Sequence, residues 1–270
     1  MVKNSISKKL SFVVGLILCS FPLISGVIQQ QAQKGIVATY QQMIESSPNS
    51  SIEEALTKAR EYNEVLFNLL TSLSSDNLSI LSEESYNEIL NAGNGIMGSI
   101  EIPSININLP IYHGTSDEVL SAGVGHLNES SLPVGGINTR SVLTGHRGLP
   151  NSKLFTRLDE LEIGDLFFIR VLNETLAYKV SDIEVIEPED VSGLEIEAGK
   201  DLVSLITCTP YGLNTHRLVV TGERTEYEPA IYENIESKNM SIREYVFLAI
   251  PFVFLTIVAV RRGKSARKKD

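Results

Sequence analysis

Two runs without a charged residue bracket this chain: residues 10–28, LSFVVGLILCSFPLISGVI, and residues 245–260, YVFLAIPFVFLTIVAV. A helix needs about 20 apolar residues to cross a bilayer, so the first run suffices and the second falls at the margin. Arg261 and Arg262, snorkelling at one end, and Tyr245 at the opposite interface lengthen the second run. Between the two runs the texture changes at Gly93. Residues 29–95 are rich in Ser, Asn, Gln and Glu. Within them Ile52, Leu56, Ala59, Leu66 and Leu70 recur at helical spacing behind a Ser51-x-x-Glu54 capping box. A second helical stretch at 83–90 follows a Ser/Asn-rich connector at 71–82. The pattern predicts a helical region of roughly 60 residues, either a membrane stalk or an arm lying across a site.

Beyond Gly93 the period shortens to two. GIMGSIEIPSININLPIYHG alternates apolar and polar residues with prolines as punctuation, and predicts two short strands. A short helix is expected at 117–122, a strand at 141–144 and a helical turn at 153–158. Residues 166–171 and 176–186 form a hairpin about Asn173-Glu174, and further strands lie at 202–207 and 218–221, separated by a loop with Pro210 and Gly212. Seven or eight short strands at this spacing make the domain mainly β, a barrel or sandwich with short helices. The expected organisation is an arm plus membrane anchor or signal segment at 1–28, a helical region at 29–95 and a β domain at 96–228. A linker at 229–244 and a membrane helix with a basic tail at 245–270 complete it.

Charge sharpens this division. The chain has 23 basic and 33 acidic residues, a formal net charge of −10. Three of the basic residues (Lys3, Lys8, Lys9) precede the first apolar run and six follow the second, where the acidic Asp270 also lies. The segment 29–245 keeps 14 basic and 32 acidic residues, net −18. Basic arms stay on the cytoplasmic side, which places both termini in the cytoplasm and the β domain outside the cell membrane. A cleaved signal peptide is the alternative for residues 1–28. So acidic a domain does not suit nucleic acid.

The chemistry-bearing residues are few. Cys19 falls in the first apolar run, so Cys208 stands alone in the exported part and has no intramolecular disulfide partner. It ends an apolar strand in LITCTP, where sites are commonly built, although a buried inert thiol fits the same facts. An ordinary thiol is mostly protonated at neutral pH and needs a base or cation beside it. Of the histidines His113, His126, His146 and His216, His146 also terminates a strand, inside the glycine-flanked turn TGHRG. Arg217 opens the strand after the cysteine, and a strand–loop–strand hairpin brings it back to Cys208. Its guanidinium could hold a carbonyl or an oxyanion, or pair with a carboxylate. His216, one residue earlier, turns to the other face. No metal-ligand spacing, phosphate-binding glycine loop or G-x-S-x-G elbow is present, so no metal, nucleotide or other cofactor is expected.

Three separated stretches resemble the sortase family. TCTPYGLNTHRLVVTGER (207–224) is similar to its active-site signature, VLTGHRGLP (142–150) to its histidine motif, and GIMGSIEIPSININLPIYHGT to its opening strands. The resemblance covers roughly residues 95–227, and the long helical N-terminal region and C-terminal membrane helix resemble class C, the pilus-building sortases. It implies an eight-stranded sortase-type β-barrel with Cys208 as nucleophile, His146 as acid/base and Arg217 as the orienting or oxyanion-binding cation. Thr207, Thr209 and Asn214, in the same signature, are implied as substrate-binding residues. The implied reaction cleaves an LPXTG-like sorting signal and passes the acyl group to a pilin lysine. A housekeeping-type sortase using cell-wall precursor as acceptor, or a non-enzymatic pilus-base scaffold, are the alternatives. Class C enzymes commonly carry an Asp-Pro-aromatic lid. Here Asp76-Asn77-Leu78 occupies that region and lacks both the proline and the ring.

Overall fold

A computed structural model describes residues 2–71, 78–149 and 152–237, with helical fragments between 245 and 256. The lid candidate Asp76 and half of the expected 245–260 helix lie outside the described residues, as do most side chains before residue 24. Among the described residues no helix is long and apolar enough to cross a membrane.

Helix α1 (Val2–Glu45) is followed by α2 (Asn49–Leu70) and the short α3 (Glu83–Glu88). Helix α2 differs from expectation at both ends. It starts two residues before Ser51, with Pro48 at the N-cap and no side-chain cap, so the capping box is not used. The fixed φ of Pro48 (−61°) sets the helix entry instead. At the other end Leu70 is exposed, while Tyr62 and Val65 join Ile52, Leu56, Ala59 and Leu66 in the buried stripe. Helix α3 is capped by Ser82, whose hydroxyl accepts from the Ser85 amide at 3.2 Å.

Eight strands close into a barrel: β1 (Ile96–Ile102), β2 (Ile107–His113), β3 (Val124–His126), β4 (Thr139–Thr144), β5 (Leu166–Val171), β6 (Glu174–Ile186), β7 (Asp201–Thr209) and β8 (His216–Thr225). The order around the barrel is β1-β2-β3-β4-β7-β8-β6-β5. Pairs β2–β3 and β4–β7 are parallel and the others antiparallel. Helix α4 (Asp117–Ala122) falls where expected, and α5 (Pro229–Glu233) follows β8. Residues 153–158, expected as a helical turn, form tight turns leading into a 3-10 turn at Leu158–Glu160. Strand β3 is not among the expected strands, because three residues with a central glycine carry no readable alternation.

The helical region is built into the barrel. One apolar cluster joins Tyr40, Ile52, Leu56, Tyr62 and Tyr86 of the helices with Ile100, Ile111, Leu143, Phe167, Val203 and Leu205 of the strands. Buried polar groups fix the docking. Tyr40 Oη donates to Met97 O (3.0 Å) and accepts from Leu172 N (2.7 Å). Asn63 Nδ2 donates to Leu132 O (3.0 Å) while its Oδ1 accepts from Leu132 N (2.7 Å). Both are full matches of buried donor to acceptor, which such groups require.

His126 and His113 serve this framework. His126 Nε2 lies 2.8 Å from Ser131 O and its Nδ1 lies 3.0 Å from Tyr86 Oη, so Nε2–H donates and Nδ1 accepts. Tyr86 Oη also accepts from Gly114 N at 3.0 Å. Burial pushes the His126 imidazole down to about 4, aided by nearby His113 and opposed by the bond to Ser131. The folded state therefore refuses a proton that an unfolded histidine takes up near pH 6.5. This stability is present above pH 6.5 and is lost as pH falls toward 4, by about 3 kcal/mol. Urea unfolding of wild type and His126→Gln across this range is expected to show a steeper loss in wild type. Parallel losses would contradict the assignment.

Candidate active site

Cys208 lies directly opposite Arg217 in the antiparallel β7–β8 pair, with Thr207 opposite Leu218 and Thr209 opposite His216. Side chains directly opposite share a face, so the thiol and guanidinium are neighbours. Val203, Leu205, Leu218 and Val220 belong to the core, so alternation turns Cys208 and Arg217 to the outer face of the barrel wall. Both are half-buried, and Cys208 is a free cysteine.

The second contribution comes through the parallel β4–β7 pair. Thr144 is in register with Ile206, and Gly145 N donates to Ile206 O at 3.0 Å. His146 and Cys208 are each two residues beyond that register pair, so parallel strands deliver both to the same rim. Gly145 is required by space: a Cβ there would sit 2.8 Å from the Phe155 ring. Phe155 N in turn donates to His146 O at 3.1 Å, which holds the turn. Neither the Cys208 thiol nor the His146 ring is engaged in a hydrogen bond with a described residue.

The structure thus brings together His146, Cys208 and Arg217. Thr207 and Thr209, each one residue from Cys208, are turned by alternation to the opposite face. The Thr207 hydroxyl is buried and donates to Gly145 O at 2.7 Å, tying β7 to the His146 turn. Asn214 sits in the exposed β7–β8 loop with φ +57°, and its carbonyl accepts from Arg217 Nη1 at 3.5 Å. Arg217 Nη1 also donates to His216 O at 3.2 Å, so the loop backbone orients the guanidinium. His216 faces away, with Nε2 3.3 Å from Glu187 Oε1. Among the described residues no cluster could hold a metal ion. A cavity of about 1040 Å³ adjoins Asp201 at the opposite end of β7. At about 3.3 Å per residue that is some 23 Å from Cys208, so it takes no part in the site.

Arg147 adds a contact that the sequence motifs alone do not reveal. Its side chain is buried, with Nη2 paired to Asp159 Oδ2 at 2.5 Å and Nη1 donating to Thr209 Oγ1 at 3.0 Å and to Cys208 O at 3.5 Å. The guanidinium also lies over the Tyr211 ring, 5.8 Å from its centroid. One side chain next to His146 thereby clamps the histidine turn to the end of the cysteine strand. The sequence signal was the arginine of TGHRG, which reads as exposed until the fold places Asp159 beside it.

Comparison with known proteins identifies the family of this fold. A sortase-domain family model matches residues 100–225. The crystal structure of sortase C1 from Streptococcus agalactiae is 43% identical and superposes with a TM-score of 0.65, over 72% of this chain and 99% of that one. The chain belongs to the sortase family. That family is one of cysteine transpeptidases, and the solved neighbours are sortases of class C. Sortase C of Clostridium perfringens, solved with the C-terminal cell wall sorting motif, is 43% identical with a TM-score of 0.62, over 72% of this chain and 99% of that one. Sortase D of Bacillus subtilis is 33% identical over 130 residues, 47% of this chain and 63% of that protein. Sortase A of Streptococcus agalactiae is 31% identical over 160 residues, 58% of this chain and 62% of that protein. The chain spans about three fifths of the length of these curated relatives.

The clamp in this sortase is testable. Arg147→Met takes from Asp159, which keeps some contact with water, its buried guanidinium partner, at a cost of about 2 kcal/mol in urea unfolding. Adding Asp159→Leu should restore most of that stability. Turnover of a sorting-signal peptide should stay about 10- to 100-fold low in both variants, because the histidine turn is no longer held. Full recovery of turnover with stability would show that Arg147 only stabilises.

Proposed function

We propose that this sortase is a membrane-anchored transpeptidase that cleaves an LPXTG-like sorting signal between Thr and Gly and transfers the acyl group to a pilin lysine. The observation that carries the reading is the convergence of His146, Cys208 and Arg217 on one rim. The near-complete match to class C structures supports the pilus-building assignment.

In this mechanism the Cys208 sulfur attacks the threonine carbonyl carbon as a thiolate. Arg217 donates to the carbonyl oxygen as it gains charge, which stabilises the tetrahedral state. The C–N bond breaks, His146 gives its proton to the departing glycine amine, and a thioacyl enzyme remains. The incoming lysine amine attacks the thioester, His146 takes its proton, and sulfur leaves as thiolate. The energy of the old peptide bond is kept in the thioester, so no nucleotide is consumed. In this reading Asn214, whose carbonyl accepts from Arg217, borders the bound peptide.

The apolar runs at 10–28 and 245–260, with Lys3, Lys8 and Lys9 before the first and Arg261 to Lys269 after the second, support an anchor in the cell membrane with both termini cytoplasmic. The anchor keeps the enzyme beside substrates held by their own apolar tails. A housekeeping role, with cell-wall precursor as acceptor, is favoured by the similarity to Sortase A proteins. A non-enzymatic scaffold is the remaining reading, and an inert Cys208 would be its signature.

Incubating the protein with an LPXTG peptide and either a pilin-derived lysine peptide or a cell-wall stem peptide separates these readings by the mass of the product. A Thr–lysine isopeptide product is expected. A product with only the stem-peptide amine would contradict the pilus assignment. His146→Ala and Arg217→Ala are each expected to lower kcat by at least about 100-fold, and Cys208→Ala to abolish turnover.

A further inference from the structure

We infer that the barrel rim carrying Cys208 rests against a lipid bilayer, so that the site works at the headgroup surface. The inference rests on the membrane-anchored reading and adds an orientation to it. Helix α1 runs down the barrel wall from this rim. Gln33 Nε2 donates to Ala122 O (3.0 Å) and to Ser152 Oγ (3.3 Å), in the loop that follows His146. Gln30 Nε2 donates to Asn106 O at 3.4 Å, in the β1–β2 turn. Ten residues further on, Tyr40 reaches Met97 and Leu172.

Register shows which end these contacts mark. Strand β3 starts two residues after Ala122 and its Gly125 pairs with Thr144, so Ala122 lies at the end of β4 that leads to His146, as does Ser152 in the loop beyond it. Met97 and Leu172 lie toward the other end. The N-terminal part of α1 therefore leaves the barrel at the rim that carries the site.

What leaves there is apolar and uncovered. Ile24, Val27 and Ile28 on α1 are 59%, 64% and 64% exposed, although each is a large aliphatic side chain. The last of them precedes Gln30 by two residues, about 3 Å along the helix. On the same rim the β7–β8 loop exposes Leu213 (73%) and Tyr211 (48%).

A lipid surface is the occupant these features fit. Residues 10–28 are uncharged, continue α1 and extend about 28 Å as a helix, the depth of a hydrocarbon core. Lys3, Lys8 and Lys9 beyond them match the charge of a cytoplasmic leaflet. With so short a joint between the apolar run and the barrel, the rim is held within about 10 Å of the headgroups. A scissile bond must then be presented close to the membrane, as it is in a signal that directly precedes an apolar tail.

The test uses the full chain in nanodiscs of phosphatidylglycerol and phosphatidylethanolamine, with Cys19→Ser and Cys208→Ser and one fluorophore on a new cysteine. One protein carries it at Leu213→Cys, on the site rim, and the other at Ile137→Cys, near Asp201 on the opposite rim. Nitroxide-headgroup lipid is expected to quench the Leu213 label several-fold more than the Ile137 label. Equal quenching, or stronger quenching at Ile137, in discs that hold the protein would overturn the orientation while leaving the anchor intact. Failure of the protein to enter discs at all would overturn the anchor and the orientation with it.

Discussion

The parallel pairing of β4 with β7 is the constraint on which the rest depends. Antiparallel neighbours joined by a tight turn bring the end of one strand to the start of the next, which is how Cys208 meets Arg217. A third group can reach that point only from a strand that ends beside β7 while running the same way. Strand β4 does this: six residues in register, Thr139 to Thr144, carry the chain to a glycine turn that places His146 alongside the thiol. A slip of one residue would turn Cys208 inward and move the histidine by a full step.

The surrounding structure secures this register. Thr207 faces the core and bonds the Gly145 carbonyl, Arg147 fastens the histidine turn to Thr209 and Asp159, and Phe155 fills the space that a side chain at Gly145 would occupy. On the far wall, α1 and α2 complete the apolar core, with Tyr40 and Asn63 matching backbone groups that the barrel leaves open. The helices are thus part of the fold that holds the site. The Cys208 thiol and the His146 ring carry none of these duties and have no hydrogen-bond partner among the described residues.

Much of this is legible in the sequence. Period-two alternation locates seven of the eight strands, and the strand ends mark Cys208, His146 and Arg217. Strand β3 escapes because Val-Gly-His is too short to show a period. The Ser51 capping box misleads because Pro48 starts the helix earlier, and Leu70, on the apolar stripe, meets no tertiary surface. Thr207 is grouped with the substrate-binding residues by its motif, whereas alternation from Cys208 already implies the opposite face. Arg147 is invisible for a different reason: its burial depends on Asp159, twelve residues away in a turn whose position only the folded barrel sets.

The central claim is that Cys208 is the covalent centre of the site. Intact-protein mass spectrometry after rapid acid quench of the enzyme with an LPXTG peptide tests it most directly, with fragmentation to locate the adduct. A mass increase equal to the acyl portion ending in threonine, mapped to Cys208, is the result expected. An adduct on another residue, or turnover with no adduct at any time after mixing, would contradict it.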